Sequence, residues 1–376
     1  MYITVKNCIP EDYKNNLSKL EAVDRILEFH GKRLHVVYSP KTMLLSILKS
    51  SLYGERQKKY ASDLLENKRE IGSVKNNINL KFVFDFDCES EDVFVSDEFG
   101  VKTVYLSYSY ASCPSISHGV FLLCEDLSDC HFYRFTGELY AYKNIGRSVK
   151  TKFNFIDGGG SRTYKKYKKI FDCKEFALCI VDSDKAHPKG AEGDTSKSFS
   201  PFRGHRGFAK NQECIVADFH EVECLIPEVL LQDVLPNKID AIDEIRNLDK
   251  FSNYEFRKYF DHKNGLKLSE ALSLDNMYKS NFWSNVFSSY DLVNSKPCWK
   301  EKICINNEKS KECNSCIKID GLGEHSLVKS IEYLERTNLC DFQKNFSPYI
   351  KEQWSILGKS VFSWGCVIGL PKARAT

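Results

Sequence analysis

Several things are missing from this chain of 376 residues, and each absence narrows what it can be. No apolar run approaches the roughly twenty residues that a helix needs to cross a bilayer. The first residues, Met1-Tyr2-Ile3-Thr4-Val5-Lys6, lack the basic stretch and apolar core of a secretory signal. No membrane span and no export are therefore expected. No G-x-x-x-x-G-K-[ST] phosphate loop occurs, and the nearest Gly-rich stretch, Gly158-Gly159-Gly160-Ser161-Arg162-Thr163, has no lysine. The G-x-S-x-G turn of serine hydrolases is also absent. Nor does one sign of charge dominate: 54 Lys and Arg stand against 51 Asp and Glu, for a net charge of +3. No broad field advertises a polyanion partner, so any nucleic-acid contact has to come from local patches.

Cysteine is plentiful. Fifteen residues form an odd number in a long chain without an export signal, which points to a reducing cytoplasm and to thiols packed as small apolar groups. With 42% hydrophobic and 13% aromatic residues, the chain can bury a sizeable core, and its length suits two or three domains.

Residues 1–117 read as a mixed α/β region of their own. Leu17, Leu20, Val23, Ile26 and Leu27 set helical spacing between Glu11 and Phe29, and Leu34 to Tyr38 reads as a strand. Met43 to Leu52 continues as helix, and Gly54 to Lys75 as a charged, solvated one. Lys81 to Asp87 alternates with period two and contains Asp85-x-Asp87. Those carboxylates lie on one face of a strand whose other face is Phe82, Phe84 and Phe86, so a structural role is expected for them.

Residues 118–230 alternate strands and helices. Apolar runs at 119–124, 152–156, 176–181 and 213–219 are separated by helical stretches at 126–142 and 162–171, and by a loop at 185–210. A parallel sheet flanked by helices needs this order. Residues 231–376 are mainly helical, with a four-cysteine insert at 298–316.

Carboxylates gather where the central strands stop. Glu125 follows the first run and Asp129 stands one helical turn beyond it; Asp182-Ser183-Asp184 ends the third run; Glu221-Val222-Glu223 follows the fourth. Residues i and i+2 of an extended segment share a face, so each pair can offer two oxygens to one hard cation, Mg²⁺ or Mn²⁺. In an open α/β sheet such strand ends border the ligand crevice.

These residues resemble the Toprim fold of topoisomerases, bacterial primases and the overcoming-lysogenization-defect nucleases. Glu125-Asp126-Leu127-Ser128-Asp129-Cys130-His131-Phe132-Tyr133 is similar to the family's E-G-x-x-D-x-x-F-Y, with Asp126 in place of Gly. Asp182-Ser183-Asp184 is similar to its D-x-D. Glu221-Val222-Glu223-Cys224-Leu225-Ile226 resembles E-I-E-N-Y-L, with Cys224 in place of Asn, and Asp261-His262-Lys263-Asn264-Gly265-Leu266 resembles D-x-K-x-G-L. The resemblance covers about residues 118–230. It implies that Glu125, Asp182 and Asp184 hold Mg²⁺ or Mn²⁺, that Glu125 serves as general acid/base, and that Asp129 or Glu223 completes a second cation site. Two cations about 4 Å apart would then stabilise in-line displacement at phosphorus. A hydrolytic nuclease acting on DNA or RNA is the expectation, with a catalytically silent binding subunit, or another Mg-dependent phosphoryl-transfer enzyme such as a small-molecule phosphatase, as alternatives. By analogy only, such nucleases serve bacterial anti-phage systems beside an ATPase on a separate chain.

Two basic stretches accompany the carboxylates. Lys185, Lys189, Lys197, Arg203, His205, Arg206 and Lys210 lie in the 185–210 loop, where a phosphate backbone is expected. Arg162 to Lys169 interleaves charge with two tyrosines and is read first as a solvated helix face. Cys298, Cys304, Cys313 and Cys316 carry a C-x2-C half that a structural Zn²⁺ could use, against incidental thiols in a cysteine-rich chain.

Overall fold

The computed structural model describes residues 1–89, 94–146, 148–203, 208–209, 211–304, 316–337 and 345–369. The chain is α/β, with a parallel sheet flanked by helices, and divides into two units. The first comprises Met1–Ile180, Pro201–Ile215 and Glu352–Thr376; the second comprises Val181–Ser200 and Val216–Lys351.

The first unit carries two five-stranded sheets. In chain order the strands of the N-terminal sheet are β1 (Tyr2–Lys6), β2 (Val36–Tyr38), β3 (Leu80–Asp85), β4 (Phe94–Glu98) and β5 (Val101–Ser107), arranged β2-β1-β3-β5-β4. All run parallel except β4, which closes the edge antiparallel to β5. The sequence pattern does not announce β1. It is five residues long and lacks clean alternation because Tyr2, Ile3 and Val5 are all buried between layers, as a strand inside a parallel sheet must be.

The expected helix from Glu11 to Phe29 divides at Asn16, whose side chain accepts the Lys19 amide (3.0 Å) and caps α1 (Leu17–Gly31) after a 3₁₀ turn at Pro10–Asn15. The charged stretch 54–75 likewise breaks at Asn67, into helices Glu55–Glu66 and Lys68–Lys75. Asp85 ends β3, so Asp85 and Asp87 stand at its end and not along it. Lys6 Nζ (3.4 Å) and Asn7 Nδ2 (2.9 Å) engage the Asp85 carboxylate, which gives it the structural role expected on other grounds.

α1 also buries His30, facing Asp63 and Arg33, and burial lowers its pKa to about 4 from 6.5. The unfolded chain therefore binds a proton near pH 6.5 that the folded chain refuses until about pH 4. Stability from this group is complete above pH 6.5 and is lost as pH falls, by about 2 kcal/mol at pH 5. In urea unfolding at pH 7 and pH 5, His30→Leu should flatten the difference by about that amount; an unchanged difference would show that His30 does not couple to folding.

The second sheet follows the expected alternation. Its strands are β6 (Phe121–Cys124), β8 (Asn154–Asp157), β9 (Ala177–Val181), β10 (Phe208–Ala209) and β11 (Gln212–Val216), in the order β10-β11-β9-β6-β8; β7 (Val149–Thr151) lies outside it. β6 runs parallel to both β8 and β9. Two crossover helices, α2 (Leu127–Asn144) and α3 (Thr163–Asp172), make the connections. The chain goes from β6 outward to β8 and then returns to the other side for β9, which makes the β6–β9 junction the topological switch point of this sheet.

Apolar β9 is buried along its whole length. From Glu352 onward, the helix Pro348–Gly365 packs on the α2 side of this unit: Trp354 meets Phe132 edge-on at 5.3 Å, and Gly358 admits the Thr136 carbonyl where a side chain would collide.

In the second unit the helices Ile239–Phe251, Glu255–Tyr259 and Leu268–Tyr278 accompany a two-stranded ribbon of β12 (Gly265–Lys267) and β13 (Lys318–Asp320). The expected 185–210 loop is less irregular than its composition suggests, because Asp194–Ser198 and Ser200–Arg203 are helical. No helix among the described residues is long and apolar enough to cross a membrane.

Candidate metal and phosphodiester site

In the first unit, Glu125 is the first residue after β6. Asp126 then starts α2 with a reciprocal cap: its Oδ1 accepts the Ser128 amide (2.8 Å), and Asp129 Oδ2 accepts the Asp126 amide (3.0 Å). Asp126 has φ −128°, an extended conformation open to any residue, so aspartate costs nothing where the resembled motif has glycine. Asp129, expected near the cation, is buried in this cap.

The Gly-rich turn after β8 braces Glu125 from behind. Gly158 N–H donates to the Cys124 carbonyl (2.7 Å) and Gly159 N–H to the Glu125 carbonyl (2.8 Å). A side chain on Gly158 would strike the Cys124 carbonyl, and Gly159 and Gly160 both have left-handed φ, +76° and +59°.

The second unit holds the other motifs, fastened to each other. Ser183 N–H donates to the Phe219 carbonyl (3.1 Å) and Asp184 N–H to the His220 carbonyl (3.1 Å). Asp182 Oδ2 accepts the Val222 amide (3.2 Å). The D-x-D and E-x-E segments therefore lie side by side. Asp184 itself has φ +54°, and its carboxylate fills the space that a side chain on Gly193 would need.

Glu221 and Glu223 are both buried, and both face Lys263: Nζ lies 3.3 Å from Glu221 Oε2 and 3.1 Å from Glu223 Oε1. The Lys263 amide adds a bond to Glu221 Oε1 (3.1 Å), while Asp261 Oδ1 accepts the amides of Lys263 and Asn264 (3.0 and 2.7 Å) and shapes the turn. Burial, then the neighbouring Glu223 carboxylate, pushes the Glu221 pKa up to about 8 against the pull of Lys263. Burial also raises Glu223, and partial desolvation raises Asp184, whose side chain reaches solvent. Burial works against the Lys263 charge, yet the two glutamates hold its pKa above that of an ordinary lysine. One oxygen of this group, Glu223 Oε2, is buried without a hydrogen-bond partner among the described residues.

Comparison with protein-family models, curated proteins and solved structures gives no match. The chemistry of the site has to speak for itself. The donors carried by the D-x-D and E-x-E segments are all carboxylate oxygens, the set that suits Mg²⁺ or Mn²⁺ and not zinc. Among the described residues no three His, Cys, Asp or Glu side chains already stand in a metal-ligating group; an ammonium lies between the two glutamates.

Two residues here are absent from the set that the strand-end argument picks out. Lys263 is visible in the sequence only through the D-x-K-x-G segment. Arg257 carries no sequence signal, yet it is wholly buried and its Nη1 donates to the carbonyls of Cys224 (2.6 Å) and Ile226 (3.3 Å), holding the turn that presents Glu221 and Glu223.

The remaining candidates separate. Lys185 pairs with Glu192 (3.8 Å), Lys197 with Asp194 (3.5 Å), and Lys189 Nζ donates to the Lys279 carbonyl (3.3 Å). The Arg203 side chain and His205, Arg206 and Lys210 lie outside the described residues. Cys298, Cys304 and Cys316 are half-buried and form no disulfide among the described residues, and burial followed by the other two thiols raises the Cys298 pKa; Cys313 lies outside the described residues.

Proposed function

We propose that this chain is a Toprim-like, Mg²⁺- or Mn²⁺-dependent nuclease that hydrolyses phosphodiester bonds in DNA or RNA. One observation carries the reading: the D-x-D and E-x-E segments are laced together in the second unit, where Glu221 and Glu223 are buried side by side and Glu223 keeps one oxygen without a hydrogen-bond partner among the described residues. Crowded carboxylates raise one another's pKa and weaken the fold unless a cation is due there, and the buried, unpartnered Glu223 Oε2 fits a missing positive ligand.

Asp182, Asp184 and Glu223 would hold the cation, which supplies polarisation of a phosphate oxygen and a more acidic water. Water then adds to phosphorus as the bond to the leaving oxygen breaks, giving a phosphate monoester and an alcohol. Glu221, with its pKa near 8, carries the proton that a leaving oxygen requires, and Lys263 keeps positive charge beside the developing negative charge. Glu125 owes its general acid/base role in this proposal to the resemblance alone.

The test is a panel of plasmid DNA, single-stranded DNA, tRNA and p-nitrophenyl phosphate, each with Mn²⁺, with Mg²⁺ and with EDTA. Metal-dependent cleavage of a polynucleotide without monoester hydrolysis is expected. Turnover of the monoester alone would replace the nuclease with a phosphatase. The Lys263 ammonium between Glu221 and Glu223 favours a second reading, a silent subunit in which lysine has taken the cation's place. Calorimetric titration with Mn²⁺ separates the two, since the silent subunit shows no binding that depends on Asp182 and Asp184.

A further inference from the structure

We infer that the exposed stripe of α3 is a docking rail for the sugar–phosphate backbone of a nucleic-acid strand; the inference rests on the nuclease reading and names the element that grips its substrate. α3 buries Thr163, Tyr167 and Ile170 at i, i+4 and i+7, which fixes its orientation on the first unit. The opposite face presents Arg162, at its N-terminal boundary, then Lys165, Lys168 and Lys169, all exposed. Lys166 is different, since its ammonium is already bound to the Asp157 carbonyl.

None of Arg162, Lys165, Lys168 and Lys169 has a carboxylate within ion-pair distance among the described residues, although the helix ends in Asp172. Like charges three and four residues apart destabilise a helix by about 0.2–0.5 kcal/mol per pair. An ordinary solvated helix relieves this with interspersed Glu; here four cations are left facing water together.

Length and position agree with a backbone ligand. The seven residue steps from Arg162 to Lys169 span about 10 Å, the axial extent of about three phosphates at 3.4 Å each. The rail also begins at the Gly-rich turn whose Gly159 amide holds the Glu125 carbonyl, so a strand lying on it is led toward Glu125 within the same unit.

Binding to duplex DNA, single-stranded DNA and RNA is measured in EDTA, where no cleavage occurs, from low to moderate salt. For Lys165→Gln/Lys168→Gln/Lys169→Gln the slope of log K against log salt should shrink by about 2.7 on duplex DNA, or about 2 on a single strand. A charge-matched control, Lys14→Gln/Lys41→Gln/Lys49→Gln, alters exposed lysines elsewhere in the unit and should leave the slope unchanged. The arm whose slope falls by the full amount expected for that polymer names the polymer. If the wild type binds while the rail variant keeps its full slope, the rail is wrong and the nuclease reading stands. If no polymer binds the wild type, both fall.

Discussion

Asp184→Asn should abolish metal-dependent cleavage while leaving the folded chain as stable as before, or more so. Desolvation raises the Asp184 pKa even though its side chain reaches solvent, so its charge mildly opposes folding when no cation is bound. A neutral isostere removes that opposition and, with it, a ligand. Asp182→Asn is the companion case: an amide oxygen can still accept the Val222 amide that Asp182 Oδ2 accepts now, which keeps the D-x-D and E-x-E segments laced. Alanine there would cut the lace and confuse folding with chemistry. Loss of an outer-shell partner at a metal site costs roughly 10–100-fold, so loss of either carboxylate should exceed a hundredfold. A gel assay in Mn²⁺ and a calorimetric melt are read on the same preparations. Full metal-dependent cleavage by both variants would end the assignment, and so would a large drop in the melting temperature of Asp184→Asn, because it would show that the carboxylate supports the fold.

That inverse relation between charge and stability explains what the sequence could and could not tell. Strand ends were legible because β6 and β9 are continuous apolar runs that stop at carboxylates, and a chain alternating such runs with helical stretches has few folds open to it. Pairing of D-x-D with E-x-E was legible as a possibility of the topology. The partners of those carboxylates were not. Lys263 reaches Glu221 and Glu223 from forty residues away along a turn set by Asp261, and nothing in a period of two or of 3.6 encodes that approach. Asp129 shows a second limit: a carboxylate in motif register also serves as half of a helix cap, a role its spacing after Asp126 equally permits. β1 leaves no signal in the sequence because strands buried on both faces carry no alternation, and five residues are too few to stand out by length.

Arg257→Met should be among the most destabilising single changes in the chain, costing about 3–5 kcal/mol. Arg257 Nε bonds Asp249 Oδ2 at 2.7 Å with both side chains wholly buried, and its Nη2 lies 3.5 Å from Glu228 Oε1. Removing the guanidinium strands the Asp249 carboxylate in an apolar interior, where burial already lifts its pKa to about 6 against the pull of Arg257. It also leaves the Cys224 and Ile226 carbonyls without their donor. The double change Arg257→Met/Asp249→Leu removes both charges together and should recover most of the loss, since a buried pair replaced whole by apolar groups is often neutral. Urea unfolding of the two variants gives the comparison; a loss under 1 kcal/mol for the single change would refute the clamp. Recovery has a second consequence that separates stability from placement. The double variant still lacks the two bonds from Arg257 to the turn after Glu223, so Mn²⁺ affinity should stay low even where the fold is restored, and an affinity equal to that of the wild type would mean that the turn needs no clamp to present its carboxylates.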